Sequence, residues 1–312
     1  MKTKAIRFHV YGEPEVMRFE EIERPVPKEG EILVRIQAVS VNSVDWKIRS
    51  GLLQKRFDLP LPIIPGCDLS GEVIAVGAAV TDFAVGQSVF AMIGLRGAYA
   101  EHGAFNASMA AYKPANIDHV HAASVPLAGL TAWQALYEQG ALTSGQRVFV
   151  HAAAGGVGGF AIQLARAAGA EVIASASAKN ADYVRGLGAN EVIDFRVDSA
   201  ESHMGSIDLV FDLVGGDASI RSLALLKPDG ALVAVAAPSE ALKEQAGKLG
   251  RRVLSLQVRP DGAQLARIAA LIDAGKVTTT VAAVFPLAEA SAAHELSRLG
   301  HTRGKIILST VT

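Results

Sequence analysis

Residues 148–170, VFVHAAAGGVGGFAIQLARAAGA, decide the fold. The stretch opens with a β-branched apolar run, passes through a glycine-rich turn and continues with apolar residues at helical spacing. A strand, a glycine turn and a helix in direct succession are typical of the unit that cradles a dinucleotide pyrophosphate. Gly155 and Gly158 keep the G-x-x-G half of that fingerprint, with Gly156 and Val157 between them, while Ala153 replaces its first glycine. The alternative is a strand-to-helix turn that binds nothing.

Strand-like and helical segments continue to alternate beyond this stretch. EVIASAS, NEVIDF, IDLVFDLVG and GALVAVA predict strands, KNADYVRGLG and ASIRSLALL predict helices, and a helix is expected over residues 119–140. Apolar strands alternating with helices favour a doubly wound parallel sheet over residues 122–258. Such sheets bind ligands at the carboxyl ends of their strands. The residues at two such ends are therefore candidate cofactor contacts or, alternatively, ordinary buried apolar residues: Leu213, Val214, Val235 and Ala236.

The two ends of the chain have a different character. The first 120 or so residues contain the short β-rich runs KAIRFHV, EILVRIQAVSV, SGEVIAVG and QSVFAMI, which indicate a small antiparallel barrel. The tail alternates helix and strand, ending in EASAAHELSRLG and KIILST. Its periodicity does not decide whether it extends the parallel sheet or returns to the barrel.

Composition excludes several classes of protein. The 30 Lys and Arg balance 31 Asp and Glu, which argues against general binding of nucleic acid or an anionic membrane. The single cysteine, Cys67, allows no disulfide within the chain. There is neither a secretory apolar region near the first residue nor an apolar run of about 18 residues that could span a bilayer. We therefore expect a soluble, cytoplasmic protein.

The end of the strand that follows the glycine turn bears on cofactor choice. An acidic residue about 20 residues past the turn would bind the ribose hydroxyls of NAD. Here that place is occupied by Ser175, Ser177 and Lys179, which offer two hydroxyls and an ammonium to a 2′-phosphate. The sequence thus favours NADPH, the alternative being that Lys179 is a solvated lysine at the start of a helix.

Several segments together resemble the zinc-independent quinone oxidoreductase (zeta-crystallin-like) branch of the medium-chain dehydrogenase/reductase superfamily. In chain order they are VRIQAVSVNSVDWKIRSG, PIIPGCDLSGEVIAVG, VPLAGLTAWQAL, VHAAAGGVGGFAIQLA, GANEVIDF, DLVFDLVGG and RGKIIL. The resemblance implies an α/β protein with a GroES-like β-barrel catalytic domain, residues 1–121 with 259–312 returning to it, and a Rossmann NADPH-binding domain, residues 122–258. It also implies a nicotinamide held between the domains and a homodimer or homotetramer.

The resemblance also bears on metal binding. Zinc enzymes of the superfamily take ligands from a Cys-His-x-Asp segment, a Gly-His-Glu segment and a third position. The matching residues here are Asn42, Ser43, Val44 and Asp45, then Gly66, Cys67 and Asp68, and finally Leu127. Cys67 and Asp68 alone do not make a catalytic zinc site. The eight histidines do not cluster at ligand spacing, so we expect no metal.

Without a Lewis acid, the chemistry best supported is hydride transfer to an electron-poor acceptor, a quinone or an α,β-unsaturated carbonyl. Asn42 is the candidate for binding the substrate carbonyl or a water, against the alternative of a turn asparagine. Asp45 is a candidate for orienting its neighbours or pairing with Arg49. The resemblance places Thr131 against the nicotinamide, its alternative being an ordinary helix threonine.

Two basic residues of the tail and one tyrosine are further candidate site residues. Lys305 and Arg303 are interpreted either as contacts to the cofactor phosphate or as surface charges. Tyr99 is interpreted as a packed barrel residue.

Two other functions remain open at this point. One is reduction of an enoyl-thioester or a ketone. Related enoyl-thioester reductases carry a tyrosine proton donor after the first barrel strands, where this chain has SGLLQKRFDLPLP with no tyrosine. The other is a non-catalytic NADPH-binding sensor or structural protein, which the lack of an evident acid and base keeps open.

Overall fold

A computed structural model describes residues 1–194 and 200–311 and divides the chain into two compact units. The split unit draws on both ends of the chain and contains Met1–Leu127, Arg259–Gly275 and the described residues from Thr279 onward. The central unit contains Ala128–Val258 and Lys276–Thr278.

Fifteen strands lie in the described residues. They are β1 (Lys2–Phe8), β2 (Met17–Glu23), β3 (Glu31–Val41), β4 (Asp68–Val76), β5 (Ser88–Met92), β6 (His102–Asn106), β7 (Ala110–Tyr112), β8 (Arg147–Val150), β9 (Glu171–Ser175), β10 (Glu191–Ile193), β11 (Ile207–Asp212), β12 (Leu226–Ala234), β13 (Arg252–Ser255), β14 (Val281–Pro286) and β15 (Lys305–Ser309).

The same residues form nine α-helices. They are α1 (Ser43–Arg49), α2 (His119–Ala123), α3 (Pro126–Trp133), α4 (Gly156–Ala167), α5 (Ala181–Gly186), α6 (Gly216–Ser222), α7 (Glu240–Leu249), α8 (Gly262–Asp273) and α9 (Ala290–Arg298).

The central unit is built on a six-stranded parallel sheet. Its strand order is β10-β9-β8-β11-β12-β13, which is the 3-2-1-4-5-6 order of a Rossmann fold. Apolar residues dominate the strands because helices cover the sheet, and Val148, Val150 and Phe211 are fully buried. The order reverses between β8 and β11, and this switch point is where such sheets bind ligands. The predicted doubly wound sheet is confirmed.

The split unit contains a seven-stranded sheet and the hairpin β1-β2. The path of the sheet is β14-β15-β3-β4-β5-β7, and β6 also pairs with β3. β15 pairs antiparallel with β3, with Ile306 opposite Val41, so the last strand of the chain joins the first domain. The apolar faces of these strands form one core that includes Ile32, Val34 and Leu308.

The predicted elements need three adjustments. The helix expected over residues 119–140 is interrupted, because Pro126 lacks the N–H that would continue a helix and instead begins α3. The expected domain boundary after residue 121 would cut α2, which lies with the split unit, and the division follows Leu127. The strand expected in NEVIDF is β10, while Phe195 lies outside the described residues.

Among the described residues, no helix combines the length and the apolar character needed to cross a bilayer.

Candidate functional site

The glycine turn joins β8 to α4. The backbone reverses at residues 151–155, where Ala152 has a positive φ of 46°. A Cβ at Gly158 would lie 2.6 Å from the carbonyl oxygen of Ala152 and 2.7 Å from the Cα of Ala153, so only glycine permits this approach. The N-cap of the twelve-residue α4 is Gly155, which has no side chain to cap the helix. Its first amides are therefore suited to an anion such as a pyrophosphate.

The end of β9 lies against this turn. The backbone N–H of Ala153 donates to the carbonyl oxygen of Ser175 at 3.0 Å. Ser175 and Ser177 are almost buried, and Lys179 follows in a short 3-10 helix, Ala178–Asn180. The structure therefore gathers the glycine turn and all three predicted phosphate contacts at one edge of the sheet.

A carboxylate that the local sequence pattern did not indicate reaches the same segment. Asp194 follows β10, and its Oδ2 accepts a hydrogen bond from the backbone N–H of Ala178 at 2.8 Å. The carboxylate of Asp194 is therefore bonded to the residue that lies between Ser177 and Lys179 in the sequence. The expectation that this segment contains no carboxylate holds for residues 175–179 but not for their spatial neighbours. The sequence signal for Asp194 is its position immediately after the adjacent parallel strand.

The other predicted cofactor contacts lie at the ends of β11 and β12. The N–H of Val235 donates to the carbonyl oxygen of Asp212 at 3.1 Å, which holds the two strand ends together. Val214 is 58 % exposed, so it is not the ordinary buried strand residue of the alternative interpretation. Leu213 and Ala236 flank these positions at the same edge of the sheet. Thr131 is buried in α3 and stays a predicted contact.

Asp212 fixes this edge of the sheet. Its Oδ1 accepts hydrogen bonds from His151 Nδ1 at 3.0 Å and from the N–H groups of Val214 and Gly215. Its Oδ2 accepts a bond from the hydroxyl of Ser219. Burial opposes ionisation of this carboxyl, but the donors outweigh burial and lower its pKa. Asp212 is therefore a carboxylate that shapes the loop after β11.

The split unit contains a second polar cluster, centred on Asn42. Asn42 lies between β3 and α1, is 5 % exposed, and is the N-cap of α1. Its Nδ2 donates to Asp68 Oδ2 at 3.0 Å, and its Oδ1 accepts a hydrogen bond from the ammonium of Lys305. Asp68 also accepts bonds from the hydroxyl of Ser40 and the N–H of Leu127. A turn asparagine is therefore an insufficient description of Asn42, because both ends of its amide have partners.

Lys305 is buried, so its interpretation as a surface charge is wrong. Only 7 % of it is exposed, and it belongs to the split unit, on β15. Its Nζ bonds Asn42 and the carbonyl oxygen of Val41, and lies 4.0 Å from Asp68 Oδ2. The contact to the cofactor phosphate stays a prediction. Burial lowers the pKa of Lys305, against the attraction of Asp68 and Asp45.

Asp45 is held by donors rather than by a salt bridge. Its Oδ2 accepts bonds from the N–H of Asn42 at 2.8 Å and from the hydroxyl of Tyr99 at 3.1 Å. Its Oδ1 lies 3.4 Å from the thiol of Cys67. The expected pairing with Arg49 is not formed, since Arg49 donates to Gly12 and to a histidine. Asp45 thus supports Asn42 from the first turn of α1.

The donors and acceptors of this cluster form a chain of hydrogen bonds that runs in one direction, from Arg49 to Asp45. Arg49 Nε can only donate, so His294 Nδ1 is an acceptor, at 3.3 Å, and the proton of His294 lies on Nε2. Nε2–H then donates to the Tyr99 oxygen at 3.1 Å, and the Tyr99 hydroxyl donates to Asp45. Burial, followed by the charge of Arg49, lowers the pKa of His294 to about 3, in keeping with this neutral ring. Tyr99 is fully buried as expected, but it also transmits hydrogen bonding.

Burial dominates the pKa values of the other groups. It raises the pKa of Asp45 to about 7, and it raises the pKa of the Cys67 thiol well above its usual value. Burial also raises the pKa of Asp68, but Lys305 and three donors oppose it. The bonds from Ser40, Asn42 and Leu127 to Asp68 all come from donors, which favours its carboxylate form. Asp45, with a pKa of about 7, is near the midpoint of its ionisation at neutral pH.

These residues do not fit a catalytic zinc. The Asn42 oxygen is occupied by the ammonium of Lys305, the Cys67 thiol is held protonated, and Leu127 has no ligand atom. A zinc ligand must be a thiolate, a neutral imidazole or a carboxylate. In the described part of the chain, no group of three or more His, Cys, Asp or Glu side chains is arranged to hold a metal ion.

Two family models match the chain. The alcohol dehydrogenase GroES-like domain matches residues 28–116, and a zinc-binding dehydrogenase model matches residues 187–308. A chloroplastic quinone-oxidoreductase of Triphysaria versicolor is 31 % identical, with 98 % of each chain covered. The chain belongs to the medium-chain dehydrogenase/reductase superfamily. Within this superfamily it groups with the quinone oxidoreductases, as the sequence motifs predicted.

Two further members of the superfamily extend the comparison. An NADPH-dependent alkenal/one oxidoreductase of Arabidopsis thaliana chloroplasts is 32 % identical, covering 98 % of this chain and 79 % of that protein. The solved structure of Escherichia coli quinone oxidoreductase complexed with NADPH superposes with a TM-score of 0.88 at 30 % identity, covering 98 % and 99 % of the two chains. The predicted combination of a GroES-like domain and a Rossmann domain is confirmed.

Proposed function

We propose that this protein is an NADPH-dependent reductase that transfers hydride to a quinone or an α,β-unsaturated carbonyl. The observation that carries the proposal is the edge of the central sheet, where an uncapped α4 and the ends of β9, β11 and β12 form a dinucleotide cradle. Relatives that match almost the whole chain include a quinone oxidoreductase and an alkenal/one oxidoreductase, which supports the acceptor class.

Each part of the cradle has a proposed partner on the cofactor. The turn residues Gly155, Gly156, Val157 and Gly158 hold the pyrophosphate through backbone N–H groups. Ser175, Ser177 and Lys179 bind the 2′-phosphate. We assign the nicotinamide to Thr131 and to the strand-end residues Leu213, Val214, Val235 and Ala236. Bound NADPH supplies a hydride from its nicotinamide ring, the hard chemical step of the reaction.

Asn42 is the proposed contact to the acceptor. One N–H of its Nδ2 is bonded to Asp68, and the other oxygen atoms near Nδ2, both on Ser40, lie 3.5 Å away. Bonds of that length are weak, so the second N–H is available to a substrate carbonyl oxygen, on which negative charge develops as hydride arrives. No step passes through a metal, and the proton that completes the reduction comes from water.

Cofactor selectivity is tested first at Lys179. Replacing Lys179 by Ala removes a charge that would bind the 2′-phosphate, which NADPH has and NADH lacks. NADPH binding should therefore weaken roughly 10-fold, the value of a charge-assisted hydrogen bond, while NADH binding changes little. Binding is measured by fluorescence titration with both cofactors. Arg185→Ala is the matched control, since Arg185 is exposed and pairs with Asp182. Equal losses for NADPH and NADH would contradict the assignment.

A substitution at Asp194 tests the same segment with the opposite expected effect, tighter instead of weaker NADPH binding. Asp194→Asn removes a negative charge one residue from Ser177 and Lys179 but keeps an oxygen for the N–H of Ala178. NADPH binding should tighten more than NADH binding in the same titrations. If the NADPH to NADH ratio does not change, the 2′-phosphate does not lie beside this carboxylate.

Activity is measured as NADPH oxidation at 340 nm with a panel of quinones, enones, simple ketones and an enoyl-thioester. We expect turnover with the first two classes and little with the last two. Tight NADPH binding without turnover on any acceptor would overturn the proposal in favour of a non-catalytic NADPH-binding protein.

We also propose a cytoplasmic homodimer or homotetramer. Among the described strands, β10 and β13 are the edges of the central sheet, where a second copy could add a strand. Analytical ultracentrifugation measures the assembly, and a monomer at micromolar concentration would contradict it. The cytoplasmic location stays a prediction, since relatives with chloroplastic names match the chain.

A further inference from the structure

Lys305 is a buried cation inside the Asn42 cluster. It reaches this position from β15, 263 residues after Asn42, because β15 pairs with the end of β3. A buried lysine is costly unless its ammonium is bonded to acceptors and paired with an opposite charge. Both conditions are met here by Asn42, Val41 and the nearby Asp68.

Lys305 and Asp68 together determine which end of the Asn42 amide is the oxygen and which end is the NH2 group. A carboxamide has an accepting end and a donating end of nearly the same shape. An ammonium can only donate, so it selects the Asn42 oxygen, and a carboxylate can only accept, so it selects Nδ2. A flipped amide would place Nδ2 against the ammonium and the oxygen against the carboxylate. The orientation of Asn42 is therefore set by two neighbouring groups of opposite charge, one bonded to each end of its amide.

We propose that Lys305 is a positioning residue for the reduction. Lys305 donates to Asn42 Oδ1 while Asp68 accepts one N–H of Asn42 Nδ2. Together these bonds keep the second Nδ2–H of Asn42 directed as a donor to the substrate carbonyl oxygen. This inference rests on the proposed function, in which Asn42 binds the acceptor. It assigns Lys305 to the acceptor and not to the cofactor phosphate. Lys305 acts only through Asn42.

A double-mutant cycle tests that dependence. Asn42→Ala removes the donor, and we expect kcat with a quinone to fall roughly 100-fold, as for loss of one transition-state donor. Lys305→Met keeps the side-chain length without a donor and should lower kcat about 10-fold or more. The double variant should be no worse than Asn42→Ala alone, because Lys305 has no effect once Asn42 is absent. Multiplied losses would overturn the proposal.

Cofactor binding and a surface lysine serve as controls. The Kd of NADPH for Lys305→Met should stay within about 3-fold of the parent value, a difference below 1 kcal/mol by the affinity conversion. A large loss of NADPH affinity would return Lys305 to the cofactor site and overturn the proposal. Lys243→Met, at an exposed lysine paired with Glu240, should change neither value.

Charge removal can also destabilise the fold, so a second variant separates stability from positioning. Lys305→Met leaves Asp68 buried without its cation, whereas Lys305→Met with Asp68→Asn removes both charges. We expect this double variant to be more thermally stable than Lys305→Met alone. Its kcat should stay low, since no charge then orients Asn42. Recovery of kcat together with stability would mean that Lys305 only balances Asp68, and would overturn positioning.

A readout without turnover distinguishes this inference from the proposed function. In ¹⁵N-labelled protein, the side-chain NH2 of Asn42, assigned by its loss in Asn42→Ala, should give two separate and slowly exchanging signals. The two protons stay distinct in any asparagine because of the partial double-bond character of the C–N bond. Lys305→Met should instead shift both signals and speed their exchange with water, and signals unchanged in position and exchange rate would overturn positioning. Absence of turnover in the parent protein, with these NMR results as expected, would overturn the proposed function alone.

Discussion

Two buried carboxyl groups, one in each unit, have pKa values that are shifted in opposite directions. Asp212 and Asp45 are 2 % and 1 % exposed, respectively. Asp212 accepts bonds from a histidine, a hydroxyl and two backbone amides, and its pKa falls. Asp45 accepts one amide, one hydroxyl and a weak thiol donor, and burial raises its pKa to about 7.

The difference shows that burial alone does not decide the state of a carboxyl; the number and strength of its donors do. The lowered pKa of Asp212 favours its charged form, which suits a residue that fixes the edge of a cofactor cradle. Asp45 changes charge near neutral pH, beside the N–H of Asn42. The cluster around Asn42 is therefore the more pH-sensitive of the two.

The largest effect is expected from Asp212→Asn. The amide would turn an NH2 group toward at least one of the present donors, leaving buried groups unpaired, and such losses cost about 3–5 kcal/mol. The free energy of unfolding in urea measures this. Asp217→Asn, at an exposed residue of α6, is the matched control. A loss under about 1 kcal/mol would mean that the donors around Asp212 do not stabilise its charge.

Asp45→Asn should behave in the opposite way. The amide oxygen can keep the N–H of Asn42 and the Tyr99 hydroxyl, while its NH2 faces the Cys67 sulfur, so the fold should tolerate it. Because the folded pKa of Asp45 is raised, its stabilising contribution is fully present below the unfolded pKa and is lost as pH rises through about 7.

The parent protein should therefore lose stability relative to Asp45→Asn as pH rises from 3.8 to about 7, and the difference should stay constant above that. A pKa change from 3.8 to about 7 corresponds to roughly 4 kcal/mol at most. Urea denaturation of both proteins across this pH range measures the difference. A difference that does not vary with pH would show that Asp45 is ionised as easily as Asp212.

A smaller effect is expected from Tyr99→Phe. The change removes one donor from Asp45 and leaves the Nε2–H of His294 without its acceptor, at a cost of about 1–2 kcal/mol. The loss should be larger at pH 8 than at pH 5, because the carboxylate needs the donor more than the acid does. Tyr112→Phe, at a half-exposed tyrosine that bonds the Asp82 carbonyl, is the control. Equal losses at both pH values would remove Asp45 from the explanation.

Much of the fold was predictable because its signals are local. β3 coincides with the run EILVRIQAVSV, and the strand, turn and helix from β8 to α4 follow directly from apolar periodicity and glycine placement. The tail was not placed by periodicity, because the pairing of β15 with β3 joins residues more than 260 positions apart. Only the family resemblance located it. β13 had no prediction, since RVLS is short and only half-buried.

In the candidate site, too, some contacts were predictable from the sequence and others were not. The phosphate contacts were predictable because strand order brings the residues after β8 and β9 to one edge. Asp194 lay one strand further along the same edge and could have been inferred from that rule. The bonds from Tyr99 to His294 and from Lys305 to Asn42 could not, since 195 and 263 residues separate the partners and no local pattern marks them.

Hydride transfer itself is the claim to measure most directly. NADPH deuterated at C4 of the nicotinamide is incubated with the enzyme and an enone, and the product is analysed by mass spectrometry and NMR. The account predicts one deuterium at the β-carbon, transferred from a single face of the ring, at a rate that falls in Asn42→Ala while NADPH affinity is kept. A product without deuterium from either face, or no product despite bound NADPH, would contradict it.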